Sequence, residues 1–154
     1  MAVEIEHKYL VINDSYRNCF VSKYEIAQGY LSRDSHRTVR VRLCDDKACL
    51  TIKGITQNDS RSEYEYSIPH KDAEELLNLC LPHVIYKTRY VVTFDGFNWE
   101  IDEFHGSLEG LVIAEIELSA SEQKYTLPPF VGSNVTNDSR FYNSNLSTNG
   151  LPQL

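Results

Sequence analysis

The sequence predicts a mainly β protein, an antiparallel sheet or barrel with helices at its periphery. Three observations carry this. Eight short segments alternate apolar residues with charged or polar ones, which is the two-residue period of a strand with unlike faces. Turn-forming residues lie between many of these segments, at Asp45-Asp46, Asn58-Asp59-Ser60, Asp95-Gly96 and Gly106 to Gly110, as hairpin connections require. Helical spacing is confined to short stretches between strands and in the tail.

The elements follow in order. "VEIEHKYLV" (3–11) sets Val3, Ile5, Tyr9 and Val11 on one face and Glu4, Glu6 and Lys8 on the other. His7 then points away from the two glutamates and reads as a packing or surface residue. Asp14–Val21 is expected to form a short helix with Tyr16, Cys19 and Phe20 on one side. "KYEIAQGYLS" places Gln28, Tyr30 and Ser32 opposite Ala27, Gly29 and Leu31. "TVRVRL" sets Arg40 and Arg42 against Val39, Val41 and Leu43, and "CLTIKG" sets Cys49, Thr51 and Lys53 against Leu50 and Ile52. "SEYEYSI" sets Glu63 and Glu65 against Tyr64, Tyr66 and Ile68. Ala73, Leu76, Leu77 and Cys80 recur at helical spacing until Pro82 stops the pattern, since proline breaks a helix interior. "YKTRYVV" separates Lys87 and Arg89 from Tyr86, Thr88, Tyr90 and Val92. "WEIDEF" separates Glu100 and Asp102 from Trp99 and Ile101, and "IAEIEL" separates Glu115 and Glu117 from Ile116 and Leu118. The tail from Pro128 is rich in Asn, Ser, Gly and Pro, with one short helix expected near Asp138–Leu146.

The chain has 154 residues and 42% hydrophobic content, which suits one compact domain spanning 1–154 with a real core. A net charge of −7 with no run of Lys and Arg speaks against a nucleic-acid partner, which selects a basic stripe. No apolar run approaches the roughly 18 residues of a membrane span. Glu4 and Glu6 stand where a secretion signal needs basic and then apolar residues, so a cytoplasmic protein is expected. Cys19, Cys44, Cys49 and Cys80 show no C-x-x-C spacing and read as reduced thiols rather than a zinc site.

The polar face is the unusual feature. It carries eight acids (Glu4, Glu6, Glu63, Glu65, Glu100, Asp102, Glu115, Glu117) and six bases (Lys8, Arg40, Arg42, Lys53, Lys87, Arg89), where ordinary solvated faces mix in Thr, Ser and Gln. One reading is an outer face laced with surface ion pairs, each contributing only about 0–1 kcal/mol. The other is the inside of a closed barrel, where the set sums to −2 and confined carboxylates need cations. Paired glutamates supply hard oxygen ligands, suited to Mg²⁺ or Mn²⁺. With two divalent ions bound, the bases would suit a small polyanion, and a chain of phosphates is the natural candidate.

"EIEHK", Glu4-x-Glu6-x-Lys8, resembles the ExExK signature of the triphosphate tunnel metalloenzymes, the CYTH-domain family that joins bacterial class IV adenylate cyclases with thiamine triphosphatases. "QGYLS", "TVRVRL", "CLTIKG", "SEYEYSIP", "KTRYVV", "WEIDEFHG", "GLVIAEIEL" and "DSRFYNSNL" resemble further segments of the small bacterial inorganic triphosphatases, in the family's order. The resemblance implies a closed eight-stranded antiparallel β-barrel, a tunnel whose charged face is the inner one, with helices outside. It implies Mg²⁺- or Mn²⁺-dependent hydrolysis of a triphosphate, with two ions and tripolyphosphate as the expected substrate. Glu4, Glu6, Glu115 and Glu117 would then be metal ligands, supported by Asp102 and by Glu63 or Glu65. Lys8, Arg40, Arg42, Lys53, Lys87 and Arg89 would hold the phosphates, and Lys87 and Tyr30 would transfer protons. Two other readings stand beside this one. The same site could act on a triphosphate carrying an organic group, including a nucleoside triphosphate, as a cyclase or thiamine triphosphatase does. Without chemistry it would be a polyphosphate or nucleotide sensor. Monomer and homodimer are both compatible with the sequence.

Overall fold

The eight alternating segments form eight strands: β1 (Val3–Val11), β2 (Ser22–Ser32), β3 (Thr38–Cys44), β4 (Lys47–Lys53), β5 (Ser60–Ser67), β6 (Ile85–Phe94), β7 (Phe97–Phe104) and β8 (Val112–Glu117). The structure, a computed structural model, describes residues 3–153. Neighbours run in the order β5-β4-β3-β2-β6-β7-β8-β1, and β1 pairs back onto β5, so the sheet closes into an antiparallel barrel. The closing register is short: Val3 faces Ser62, Glu4 faces Arg61 and Ile5 faces Ser60. Further along the same edge, β1 changes partner to a ninth strand, β9 (Val131–Asn134), with Tyr9 opposite Asn134 and Val11 opposite Val131. The β6–β7 hairpin turns on Asp95 (φ 50°) and Gly96 (φ 81°), the left-handed pair that matches strand twist in a two-residue loop.

Closure sorts the side chains by parity. Outward residues Tyr9, Tyr90, Trp99, Ile101 and Ile116 form the largest core cluster, covered by Tyr16, Tyr125 and Phe130 from the connecting segments. On the opposite flank, Val41 and Ala48 pack under Ala73, Leu76 and Leu77 of α1 (His70–Leu79). Gly29 of β2 lies directly beneath this helix, where a Cβ would meet Cys80 Sγ at 2.8 Å and Cys80 Cβ at 2.9 Å. Gly29→Ala is therefore expected to cost about 1–3 kcal/mol through overpacking, read as a lowered midpoint in chemical denaturation.

A third cluster lies inside the barrel. Leu10, Ile85, Phe104 and Ile113 share lumen parity with the charged residues of their strands, and they pack against Phe141 and Leu146 of the C-terminal segment. That segment comprises a 3-10 turn (Ser139–Phe141) and α2 (Asn143–Asn149). The lumen is thus filled by an apolar plug at one end.

Three expectations about the connecting segments change. The Asp14–Val21 stretch forms only a 3-10 turn over Ser15–Asn18. Asn13 Oδ1 accepts the Ser15 backbone N–H at 3.0 Å, a local side-chain bond that competes with helix formation. Tyr16 and Phe20 both pack edge-on against Tyr90, but Cys19 is exposed. The tail helix begins at Asn143, after the 3-10 turn, rather than near Asp138. Strand β9 carries no alternation in "VGSN" that sequence patterning could detect.

Candidate functional site

The strand order gives the lumen two unlike halves. Strands β4, β3, β2 and β6 are contiguous and bring Lys53, Arg40, Arg42, Lys87 and Arg89 to one side. Strands β7, β8, β1 and β5 are contiguous through the closing pair and bring Glu100, Asp102, Glu115, Glu117, Glu4, Glu6, Glu63 and Glu65 to the other. Lys8 and Arg61 are the cations within the acidic half. A cavity of about 240 Å³ lies between the halves, lined by seven carboxylates, seven Lys or Arg side chains, Tyr30 and Asn143. The charged face is the inner one, and every proposed site residue except Asp102 lines this cavity.

Within the acidic half, like charges stand directly opposite each other. Glu6 faces Glu117 across β1 and β8, and Glu100 faces Glu115 across β7 and β8. Such pairs destabilise a sheet unless something neutralises them. The cavity's own bases do part of this. Lys53 Nζ reaches Glu4 Oε1 at 2.8 Å and Glu63 Oε2 at 3.3 Å, and Arg61 Nε lies 3.6 Å from Glu4. Lys8 Nζ sits 3.5 Å from Glu115 and 3.7 Å from Glu6. Among the described residues no three His, Cys, Asp or Glu side chains converge closely enough to hold an ion as they stand.

These contacts divide the carboxylates into two kinds. Burial works to raise the Glu4 carboxyl, but Lys53 and Arg61 outweigh it and hold the group at about 2. Burial followed by repulsion from Glu115 pushes Glu6 up to about 8. Glu117 and Glu63 are also raised, first by burial and then by Glu4. Lys8 is favoured as a cation despite burial, with Glu115 and Glu6 lifting it to about 12.

Deeper in, just above the plug, Asp102 is fully buried and both its oxygens are taken. Arg89 grips it in a bidentate pair, Nε to Oδ1 at 2.7 Å and Nη2 to Oδ2 at 2.8 Å, and Lys87 Nζ reaches Oδ2 at 2.8 Å. Arg89 also donates from Nη1 to Glu100 at 3.0 Å. Lys87 rests 5.3 Å above the Phe104 ring of the plug. Burial there, reinforced by Arg89 and Arg42, lowers its pKa to about 7 against the pull of Asp102. Arg40 donates to Thr51 at 3.2 Å, yet its buried Nε meets no acceptor among the described residues.

Two residues of this site escaped sequence reasoning, and two others were placed on the charged or polar face without a task. Arg61 has lumen parity, but only once β5 is seen to start at Ser60. Glu100 was on the charged face without an assigned task, although it bonds Arg89. Gln28 was likewise placed on that face without a task, although it accepts from Arg42 and donates to Asn143. Asn143 comes from α2 and follows no strand pattern, although it accepts from both Lys87 and Gln28. His7 is outside the lumen, as strand parity requires, but it is a clamp rather than simple packing: it bonds Tyr125 at 2.6 Å and Asp59 at 2.8 Å.

Comparison with known proteins places this geometry. The CYTH domain matches residues 2–147. An inorganic triphosphatase of Acetivibrio thermocellus is 47% identical over 150 residues, covering 97% of this chain and 96% of that protein. A second, from Nitrosomonas europaea, is 31% identical over 148 residues, covering 94% and 96%. The crystal structure of an inorganic triphosphatase superposes with a TM-score of 0.69 at 30% identity, covering 94% of this chain and 97% of that one. A protein from Pyrococcus horikoshii shares the fold at 22% identity, with a TM-score of 0.61 over 77% of this chain and 81% of that one.

Proposed function

Since this chain belongs to the CYTH family, we propose that it is an inorganic triphosphatase, hydrolysing tripolyphosphate to pyrophosphate and orthophosphate inside the barrel. The observation that carries this reading is the divided lumen, where one small cavity is lined by five bases on one side and by seven carboxylates, with Lys8 and Arg61 among them, on the other. A polyanion would be held by the bases, and the divalent cations that accompany it by the carboxylates. The two relatives that bear the name of this activity match nearly the whole chain.

In this reading Arg40, Arg42, Lys53, Lys87, Arg89 and Lys8 hold the phosphate chain through charge-assisted bonds. The unpartnered buried Nε of Arg40 is a donor awaiting such an oxygen. The donor set opposite fits a hard divalent ion: it is all carboxylate, crowded, and carries one group, Glu6, pushed up to about 8 by burial and then by Glu115. Glu4, Glu6, Glu115 and Glu117 would hold Mg²⁺ or Mn²⁺, two ions in all, with Glu63 and Glu65 beside them and Asp102 supporting from below through Arg89. Lys8 and Lys53, now paired with these glutamates, would be free to hold phosphate once the carboxylates were neutralised by divalent ions. A bound divalent ion neutralises phosphate oxygens and lowers the pKa of coordinated water.

The chain's own residues do the rest. Water attacks the terminal phosphorus, the bridging P–O bond breaks, and pyrophosphate leaves. Lys87 Nζ, with its pKa near 7, accepts the proton of the attacking water. Tyr30, buried in the wall beside Arg40, lines the same cavity and assists proton transfer. Positioning and electrostatics supply most of the acceleration, as in other phosphoryl transfers. We place the enzyme in the cytoplasm, which four free thiols support; among the described residues no helix is long and apolar enough to cross a membrane.

Substrate choice tests the reading. The cavity offers charges, Tyr30 and Asn143 but no cluster of amides and aromatics to read a base edge, and discrimination for a nucleotide needs such contacts. Purified protein with Mg²⁺ or Mn²⁺ is expected to show higher kcat/KM on tripolyphosphate than on ATP or thiamine triphosphate, by phosphate release. Pyrophosphate should be a poor substrate, because it is too short to span both halves of the site. Faster conversion of ATP to cyclic AMP than release of phosphate from tripolyphosphate would overturn the proposal.

A further inference from the structure

Lys87 is held from two sides. Its Nζ donates to Asp102 Oδ2 at 2.8 Å and to Asn143 Oδ1 at 2.9 Å. An amine nitrogen has three tetrahedral positions beyond its carbon, so one is left, and Lys87 lines the cavity. In the ammonium that position is an N–H; in the amine it is the lone pair. Its direction depends on both acceptors staying acceptors. For Asp102 this follows from its grip by Arg89, which can only donate.

For Asn143 it is less obvious, because an amide flips between donor and acceptor with little change of shape. A chain of one-way bonds fixes it. Arg42 has no acceptor atom, and its Nε and Nη2 donate to Gln28 Oε1 at 3.0 Å and 2.7 Å. Gln28 is fully buried, so its oxygen is committed and its Nε2 must donate; it does, to Asn143 Oδ1 at 2.9 Å. The Asn143 oxygen therefore points to Gln28 and Lys87 together, and both of its lone pairs are used. Three elements, β3, β2 and α2, thus converge on one nitrogen of β6.

We propose that Gln28 and Asn143 are positioning residues that fix the direction in which Lys87 Nζ faces the cavity. This deepens the proposed function, resting on Lys87 as the group that takes the proton. Neither residue touches the reacting atoms in this account; both act through Lys87.

The test is steady-state kinetics on tripolyphosphate with Mg²⁺, using the full chain. Asn143→Leu keeps the volume and removes the acceptor. Gln28→Glu keeps the acceptor for Arg42 but loses the donor, so the new carboxylate draws the Asn143 amide nitrogen and turns its oxygen from Lys87. Each is expected to lower kcat by about 10- to 100-fold, the scale of a misaligned catalytic group, with KM changed by less than about threefold. Asn143→Asp, which keeps the accepting oxygen, should remain within about fivefold of the parent, since hydrogen bonding to Lys87 is retained. In a Lys87→Ala background Asn143→Leu and Gln28→Glu should have no further effect, because coupled residues are not additive. Losses that multiply with that of Lys87→Ala, or losses in KM alone, would overturn the proposal. If Lys87→Ala lowers kcat strongly while Asn143→Leu and Gln28→Glu do not, the positioning role falls and the proton-transfer reading stands. If Lys87→Ala leaves kcat intact, that reading falls and the positioning role with it. Gln28→Glu guards against misfolding of the tail segment, since it alters no residue of α2; thermal melts of each variant report the fold directly.

Discussion

Chelating divalent cations is expected to abolish tripolyphosphate hydrolysis, and Mg²⁺ or Mn²⁺ to restore it. The reasoning lies in the acidic wall, where Glu6 faces Glu117 and Glu100 faces Glu115. Glu6→Gln and Glu117→Gln should each raise the metal concentration needed for half-maximal activity by at least about tenfold, since ligating groups are lost. Both should stabilise the metal-free protein, because each relieves repulsion between carboxylates. The sign of the pH effect follows from Glu6. Its folded pKa of about 8 lies above the ordinary value of 4.5, so its contribution to stability is present at low pH and is lost as pH rises through 8. The melting-temperature gain of Glu6→Gln in chelator should therefore grow from pH 5 toward pH 8. Metal binding must also displace the Glu6 proton, so affinity should rise with pH over the same window, with proton release measurable by calorimetry in two buffers. Full activity in chelator, or unchanged metal dependence in both variants, would remove the metal assignment.

Arg89→Met should do the greatest damage of any single change in the basic wall. Arg89 makes two short bonds to the fully buried Asp102 and a third to Glu100. Removing one partner of a buried ion pair costs about 3–5 kcal/mol, because the remaining charge is left uncompensated. Activity should fall with it, by about 10²–10³ in kcat/KM for the lost phosphate donor alone. The double variant Arg89→Met/Asp102→Asn separates the two effects. It should recover much of the stability in urea unfolding and none of the activity. Arg40→Ala supplies the contrast. Its partners are a hydroxyl at 3.2 Å and the half-exposed Glu65 at 3.8 Å, so a similar loss of kcat/KM should come with little loss of stability. Full recovery of activity in the double variant would mean that Arg89 serves only to neutralise Asp102.

How far the sequence could be read depended on periodicity. All eight barrel strands were legible, because each alternates charged or polar residues with apolar ones, and the ExExK motif with its ordered companions identified which face turns inward. Parity alone said nothing of the inward side, and it also failed to say which outward residues are covered. Ile52, Tyr64 and Tyr66 point outward like Trp99 and Ile101, yet they are exposed while the latter pair is fully buried. Coverage is decided by α1 and by the loop carrying Tyr125 and Phe130, whose positions no local pattern encodes. The plug was present in the pattern but subtle. One step past Lys8, Lys87, Asp102 and Glu115 along their strands, the lumen-facing residues become Leu10, Ile85, Phe104 and Ile113. Register sets Leu10 opposite Ile113, and closure of the sheet gathers Ile85 and Phe104 into the same cluster, both long-range properties. Asn143 and Arg61 lay out of reach for the same reason: their tasks are set by what the fold brings against them, not by their neighbours in the chain.

The divided partnership of β1 has a consequence for how the molecule is made. Its nine residues bond to β8 on one edge and to β5 and then β9 on the other. The barrel strand made before the other seven is thus the last to be satisfied, since Glu6 waits for Glu117 and Tyr9 for Asn134. Contacts of such sequence separation carry the largest loop-closure entropy and make for slow folding. Until then β1 is an unpaired edge, and its alternating charges discourage pairing with a neighbouring chain. The glutamates that repel each other across β1 and β8 meet only at that final closure, so assembly of the acidic wall and completion of the barrel are one kinetic event.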